Sequence, residues 1–101
     1  MIIKANLMKC PNGNAYVEID EEGNITLYSY TTPVCTLSYD GWLEVYGLYG
    51  ATTRKHIGYF MAEYITYPNG DCGSYSEAKH AYHGNYRFNV QTGEIEDLPC
   101  G

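Results

Sequence analysis

Apolar and polar residues alternate over Ala15-Tyr16-Val17-Glu18-Ile19-Asp20. A period of two is that of a half-buried strand, so Ala15, Val17 and Ile19 face one way and Tyr16, Glu18 and Asp20 the other. Residues 2–9 read as an earlier strand closed by Pro11-Asn12-Gly13-Asn14. Glu21-Glu22-Gly23-Asn24 is a turn, and residues 25–30 return as the next strand. Thr32-Pro33 is expected to interrupt, because Pro cannot donate to a ladder. Residues 34–39 and 42–47 are then joined at Asp40-Gly41, the strongest short hairpin signal of the chain. A two-residue loop there would pair Tyr39 with Trp42, Leu37 with Glu44 and Cys35 with Tyr46.

The period changes at residue 52. Ile57, Phe60, Met61, Tyr64 and Ile65 recur at steps of three and four, which makes one apolar stripe on a helix close to 53–65, stopped before Pro68-Asn69-Gly70. Thr52 or Thr53 is the expected cap. Ser74-Tyr75-Ser76-Glu77 has capping-box spacing and predicts a short helix over about 75–82. Residues 85–91 read as a strand, Thr92-Gly93 as a turn, and Glu94-Ile95-Glu96 as an edge that pairs back. The reading is a single α+β domain over residues 1–101: an antiparallel sheet of five to seven strands with one long and one short helix packed on one face. The core should hold Val17, Ile19, Leu27, Leu37, Val45, Ile57, Phe60, Met61 and Ile65, and the other sheet face should collect tyrosine.

Charge narrows the functional classes. A net charge of −6 repels phosphates, and only Arg54-Lys55 forms a basic pair, so tight nucleic-acid binding is disfavoured. No apolar run is long enough to span a membrane as a helix, and the start lacks the pattern of a secretory signal, so the expected location is the cytoplasm. The chain carries 12 Tyr against 2 Phe, an excess that suits a half-wet recognition surface because the ring is apolar and its tip polar. The acidic residues gather at Glu18, Asp20, Glu21 and Glu22 and again at Glu94, Glu96 and Asp97. With Tyr16, these are the candidate partner-binding residues. Strand neighbours i and i+2 lie roughly 6.6 Å apart, close to the spacing of successive phosphates.

Signals of catalysis are thin. No nucleophile elbow, phosphate-binding loop or paired-histidine zinc motif is present. A Cys/His dyad can be drawn from any of four Cys and three His, and so carries no information in the sequence. Cys72, His80 and His83 lack a fourth ligand and match no common zinc module, so no metal and no cofactor are expected. Thr52, Thr53, Arg54, Lys55 and His56 stand at the helix entry, where free backbone amides favour anions; they form an alternative anion or nucleic-acid patch. Cations in a first helical turn oppose the helix dipole, which marks Arg54 and Lys55 as odd there.

Ser29-Tyr30-Thr31-Thr32-Pro33-Val34 and Gly50-Ala51-Thr52-Thr53-Arg54-Lys55-His56-Ile57, with Phe60 after them, resemble a small uncharacterised domain of phages and plasmids of Gram-positive bacteria. The resemblance covers residues 27–60, with Gly50, Lys55 and Cys35 as departures. It supplies no activity, but it implies an accessory gene of a mobile element. Small acidic proteins of that setting look like inhibitors of host defence, such as anti-CRISPR or anti-restriction proteins. The resulting expectation is a non-enzymatic inhibitor whose carboxylates take the place of phosphates in the basic channel of a nuclease such as a CRISPR effector. A generic protein-interaction or regulatory module, and a DNA-binding accessory protein using Arg54, Lys55 and His56, are the alternatives.

Overall fold

A computed structural model describes residues 2–46, 50–65 and 86–97. Among these residues seven strands pair in chain order as an antiparallel meander. They are β1 (Ile3–Asn6), β2 (Ala15–Ile19), β3 (Ile25–Ser29), β4 (Thr32–Leu37), β5 (Trp42–Val45), β6 (Tyr86–Asn89) and β7 (Ile95–Asp97). Among the described residues one helix, α1 (Ala51–Tyr64), covers one face of the sheet. The expected short helix over 75–82, with Cys72, His80 and His83, lies outside the described residues.

The register explains which face is covered. Ala5, Val17, Leu27, Cys35 and Val45 form one apolar row across five strands, and Ile19, Ile25, Leu37, Leu43 and Phe88 form a second. Both rows face α1, whose buried residues are His56, Ile57, Phe60 and Met61. All the expected core residues are buried except Ile19, which is partly exposed and packs against the core. Leu7, Cys10, Ala15, Val34, Cys35 and Leu43 join them. Burial pushes the Cys35 thiol pKa up.

Three local expectations are corrected. Leu37 pairs with Leu43 and Cys35 with Val45, one residue away from the expected register. A one-residue slip turns every side chain to the other face, and the observed register sets apolar opposite apolar, where the expected one set Leu37 opposite Glu44. The loop is three residues, Tyr39-Asp40-Gly41: Gly41 N–H donates to Ser38 O at 3.0 Å, and Gly41 takes φ +95°. Second, Pro33 does not interrupt. It lies within β4 at a register shift, where a missing donor is tolerated. The turn before it is Tyr30-Thr31, and Tyr30 adopts φ +59°. Third, Gly50, not a threonine, is the helix N-cap, and no side chain caps the helix. Thr53 Oγ1 lies 3.0 Å from Ser29 Oγ instead, a tertiary contact that outcompetes the local one.

Candidate functional site

An up-and-down meander places alternate turns at the same end of the sheet. The turns β2–β3, β4–β5 and β6–β7 therefore share one end, and β1–β2 and β3–β4 share the other. The first set carries Asp20, Glu21, Glu22, Asp40 and Glu94. Among the described residues, these three turns contain no Lys or Arg.

Hydrogen bonds lock the three turns side by side. Tyr39 N–H donates to Asn24 Oδ1 at 3.0 Å, joining the first turn to the second. Val90 N–H donates to Gly41 O at 2.8 Å, and Asn89 Nδ2 donates to Asp40 O at 3.2 Å, joining the second to the third. Asn89 is buried, and its Oδ1 accepts from the amides of Gln91 and Thr92. The result is a ridge that crosses about four strand spacings, roughly 19 Å. Beneath it, a cavity of about 420 Å³ is lined by Gly23, Leu37, Tyr39 and Gln91 and by Tyr64 and Ile65 at the end of α1. The negative end of the helix dipole thus lies at the acidic end of the sheet.

The acidic residues divide by role. Asp20 is a turn builder: its Oδ1 accepts from the amides of Glu22 and Asn24 at 3.0 and 2.9 Å, and its Oδ2 accepts from Asn24 Nδ2 at 3.1 Å. The Asn24 amide, with the Asn24 side chain and other turn amides, holds the Asp20 carboxyl below its ordinary range. Asp20 therefore turns into its own loop and does not continue the Tyr16–Glu18 face. Ser38 Oγ donates to Asp40 Oδ1. Glu22 and Glu94 are exposed on the ridge. Glu96 is not part of it; its carboxylate pairs with Arg87 at 2.9 Å on the open sheet face. Asp97 ends β7 in register with Tyr86. Asp40 escaped sequence reading because it served there only as a hairpin signal. Asn24 and Asn89, the side chains that tie the turns together, had no sequence signal beyond their turn preference.

Tyr16 and Glu18 lie on the sheet face opposite the helix, as the alternation predicts. Tyr16 and Tyr28 stack at 5.1 Å with ring planes 5° apart, and Lys4 Nζ stands 4.3 Å over the Tyr16 ring. Burial, together with a hydrogen bond to Glu18, pushes the Tyr28 phenol up. Tyr46 bonds Thr36 Oγ1 on the same face, and Arg87 lies 4.3 Å over the Trp42 ring.

The residues of the alternative patch point in different directions. Arg54 and Lys55 are exposed beside Ala51, Gly58 and Tyr59, and Thr52 is exposed. His56 is buried and Thr53 half-buried, both turned toward Ser29. Helical geometry separates them by about 100° per residue, so five consecutive residues cannot form one surface. Among the described residues, no group of three or more His, Cys, Asp or Glu is placed to hold a metal ion, and no helix is long and apolar enough to cross a membrane.

Among the described residues, a seven-stranded antiparallel meander with one helix on one face, tipped by an acidic ridge, defines the class of domain. The chain belongs to a family of unknown function (DUF8033), whose model matches residues 4–77. No curated protein and no solved structure matches it.

His56 gives a pH prediction. Burial and the Lys55 charge lower its pKa below the ordinary 6.5. The fold therefore prefers neutral imidazole, and the unfolded chain binds the extra proton first. Stability from this group is fully present above pH 6.5 and is lost as pH falls from 6.5 toward the folded pKa. Thermal melts at pH 7.5, 6.5 and 5.5 should show a fall of Tm between the last two that His56→Gln removes. An equal fall in the variant would assign the effect to other groups. Asp20, also lowered, acts only near and below pH 4 by the same sign argument.

Proposed function

We propose that this chain is a non-enzymatic binding protein that docks its acidic ridge against a basic partner protein. The observation that carries the reading is the convergence of Asp20, Glu21, Glu22, Asp40 and Glu94 on hydrogen-bonded turns with no Lys or Arg among them. A ridge fixed by such bonds loses little conformational freedom on binding, which favours affinity. Carboxylates spread over roughly 19 Å across the strands suit an extended row of Arg and Lys side chains such as a nucleic-acid channel presents. The resemblance to a phage and plasmid domain narrows the partner to a host defence nuclease, such as a guide-RNA-loaded CRISPR effector, in the host cytoplasm. Inhibition by occupation of the channel is the mechanism, and it uses no cofactor.

A second reading has its own observation. The stacked Tyr16–Tyr28 pair, with Trp42 and Tyr46, forms an aromatic face on the side of the sheet away from α1. A protein-interaction module working through that face would need no charge complementarity.

The test is a pull-down against a guide-dependent nuclease with and without its guide RNA. Glu22→Lys with Glu94→Lys leaves the turn builder Asp20 in place and should weaken capture at least tenfold, with Tm measured alongside. Capture should also fall as salt rises, since surface charge pairs are screened. Unchanged capture by that variant, together with loss of capture in Tyr16→Ser, would move the contact to the aromatic face.

A further inference from the structure

The end of the sheet opposite the ridge holds a buried polar cluster that the binding role does not use. Cys10, in the β1–β2 loop, places its Sγ 3.9 Å from His56 Nε2. His56 Nδ1 lies 2.9 Å from Ser29 Oγ, which is 3.0 Å from Thr53 Oγ1. Cys10, His56 and Ser29 are all buried, and the Tyr30 ring lies 5.8 Å from the imidazole. Of the Cys/His pairs the sequence permits, this is the one the described structure assembles.

We propose that Cys10 is a modification site, a thiol from which His56 takes the proton as the sulfur attacks a small anionic disulfide. In the step, the Cys10 S–H proton passes to His56 Nε2 while Sγ bonds one disulfide sulfur and the S–S bond breaks. The departing thiolate takes the proton back from His56. Protein thiol and disulfide thus become a mixed disulfide and a free thiol, and the small disulfide is the only oxidant.

Two features fit this chemistry. The first is a hydrogen-bonded path for the proton. With Nδ1–H donating to Ser29 Oγ and Ser29 O–H donating to Thr53 Oγ1, Nε2 is left to accept from sulfur, and once protonated it still has Sγ as its acceptor. The imidazole is neutral at rest, because burial and the Lys55 charge disfavour the imidazolium, and the single S–H proton turns from Asn12 Oδ1, 3.1 Å from Sγ, to Nε2 as it is handed over. His56 is therefore a general base at the moment of attack and not half of a standing ion pair. The second is the charge of the loop that carries Cys10. Lys9 follows the same loop and stands 5.6 Å over the Tyr59 ring, and Tyr59 shares a shallow hollow with Arg54 and Lys55. Lys9 is the chain neighbour of Cys10, and this cation next to the thiol in the loop favours a disulfide bearing carboxylates such as oxidised glutathione.

The experiment follows mixed-disulfide formation by oxidised glutathione on the native full chain, with each cysteine resolved by peptide mass spectrometry. Cys35, 0% exposed against 7% for Cys10, is the internal control. Cys10 should react while the chain remains folded, and its rate should change less than about twofold between pH 6.5 and 7.5. A thiol reacting through its own ionisation, or only after unfolding, gains about tenfold over that interval. His56→Gln should restore the tenfold slope, and replacing oxidised glutathione with uncharged hydroxyethyl disulfide should slow Cys10 at least threefold relative to free cysteine. A tenfold slope in the wild-type chain, a shallow slope that persists in His56→Gln, or no reaction at Cys10 under folding conditions would each overturn the assignment. If His56→Gln does not fold, the wild-type slope decides alone.

Discussion

Replacing Phe60 with Ala is expected to remove about 3–5 kcal/mol of stability, the usual cost of emptying a buried phenyl site. Phe60 is fully buried at the middle of the helix stripe, between Ile57 and Met61 on one side and the Tyr64 ring, 5.3 Å away, on the other. A domain of this size holds only about 5–15 kcal/mol, at the lower end for small chains, so the variant should be near the edge of folding at 37 °C. Urea unfolding followed by far-ultraviolet circular dichroism measures the loss. Phe60→Leu, which keeps most of the volume, should lose about 1.5 kcal/mol or less. A loss below about 1 kcal/mol for Phe60→Ala would mean that α1 does not rest on the two apolar rows of the sheet.

Gly41→Ala is the second large effect. Gly41 takes φ +95°, a conformation that costs an L-residue about 1–2 kcal/mol. A Cβ there would also stand 2.9 Å from Gln91 Cγ and 3.1 Å from Asn89 Oδ1. Asn89 cannot move freely, because the same oxygen accepts from the amides of Gln91 and Thr92 and its Nδ2 reaches Asp40. Each of those hydrogen bonds contributes about 1 kcal/mol, which brings the expected loss to about 2–4 kcal/mol. Gly93 separates strain from collision: it has φ +81° but nothing within 4 Å of an added Cβ. Gly93→Ala should lose only about 1–2 kcal/mol. If the two variants lose the same amount, the β4–β5 and β6–β7 turns are not packed together. Because Gly41 also holds the ridge, its alanine variant should weaken partner capture even at temperatures where the fold persists, and Gly93→Ala should do so less.

Periodicity carried most of the fold. Ala15, Val17 and Ile19 face the core, and Ile57, Phe60, Met61 and Ile65 are buried beneath the helix, because amphipathic alternation reports directly which side meets water. The hairpin at Asp40-Gly41 was legible as a place but not as a register. Turn residues mark where the chain reverses; the three-residue loop prevailed because it sets Leu37 against Leu43 and Cys35 against Val45, an energy that belongs to the sheet. The helix cap went the same way: Thr53 has the right side chain for a cap, yet its hydroxyl meets Ser29, 24 residues away in sequence.

The candidate sites divide along the same line. The sequence by itself determined that the chain is acidic, that it is an α+β fold of antiparallel strands with an amphipathic helix, and that several of its carboxylates fall in turns, since these follow from composition and local period. Only the tertiary structure decided that Asp20, Glu22, Asp40 and Glu94 share one end of the molecule while Glu18 and Glu96 lie on the open face. It also decided that His56 turns inward to Cys10 and Ser29 and away from Arg54 and Lys55. The physical reason is that strand order and direction sort the turns to two ends, and helix rotation sorts neighbouring residues to opposite sides. Neither sorting is fixed until the apolar rows of the sheet and the stripe of the helix have found one another.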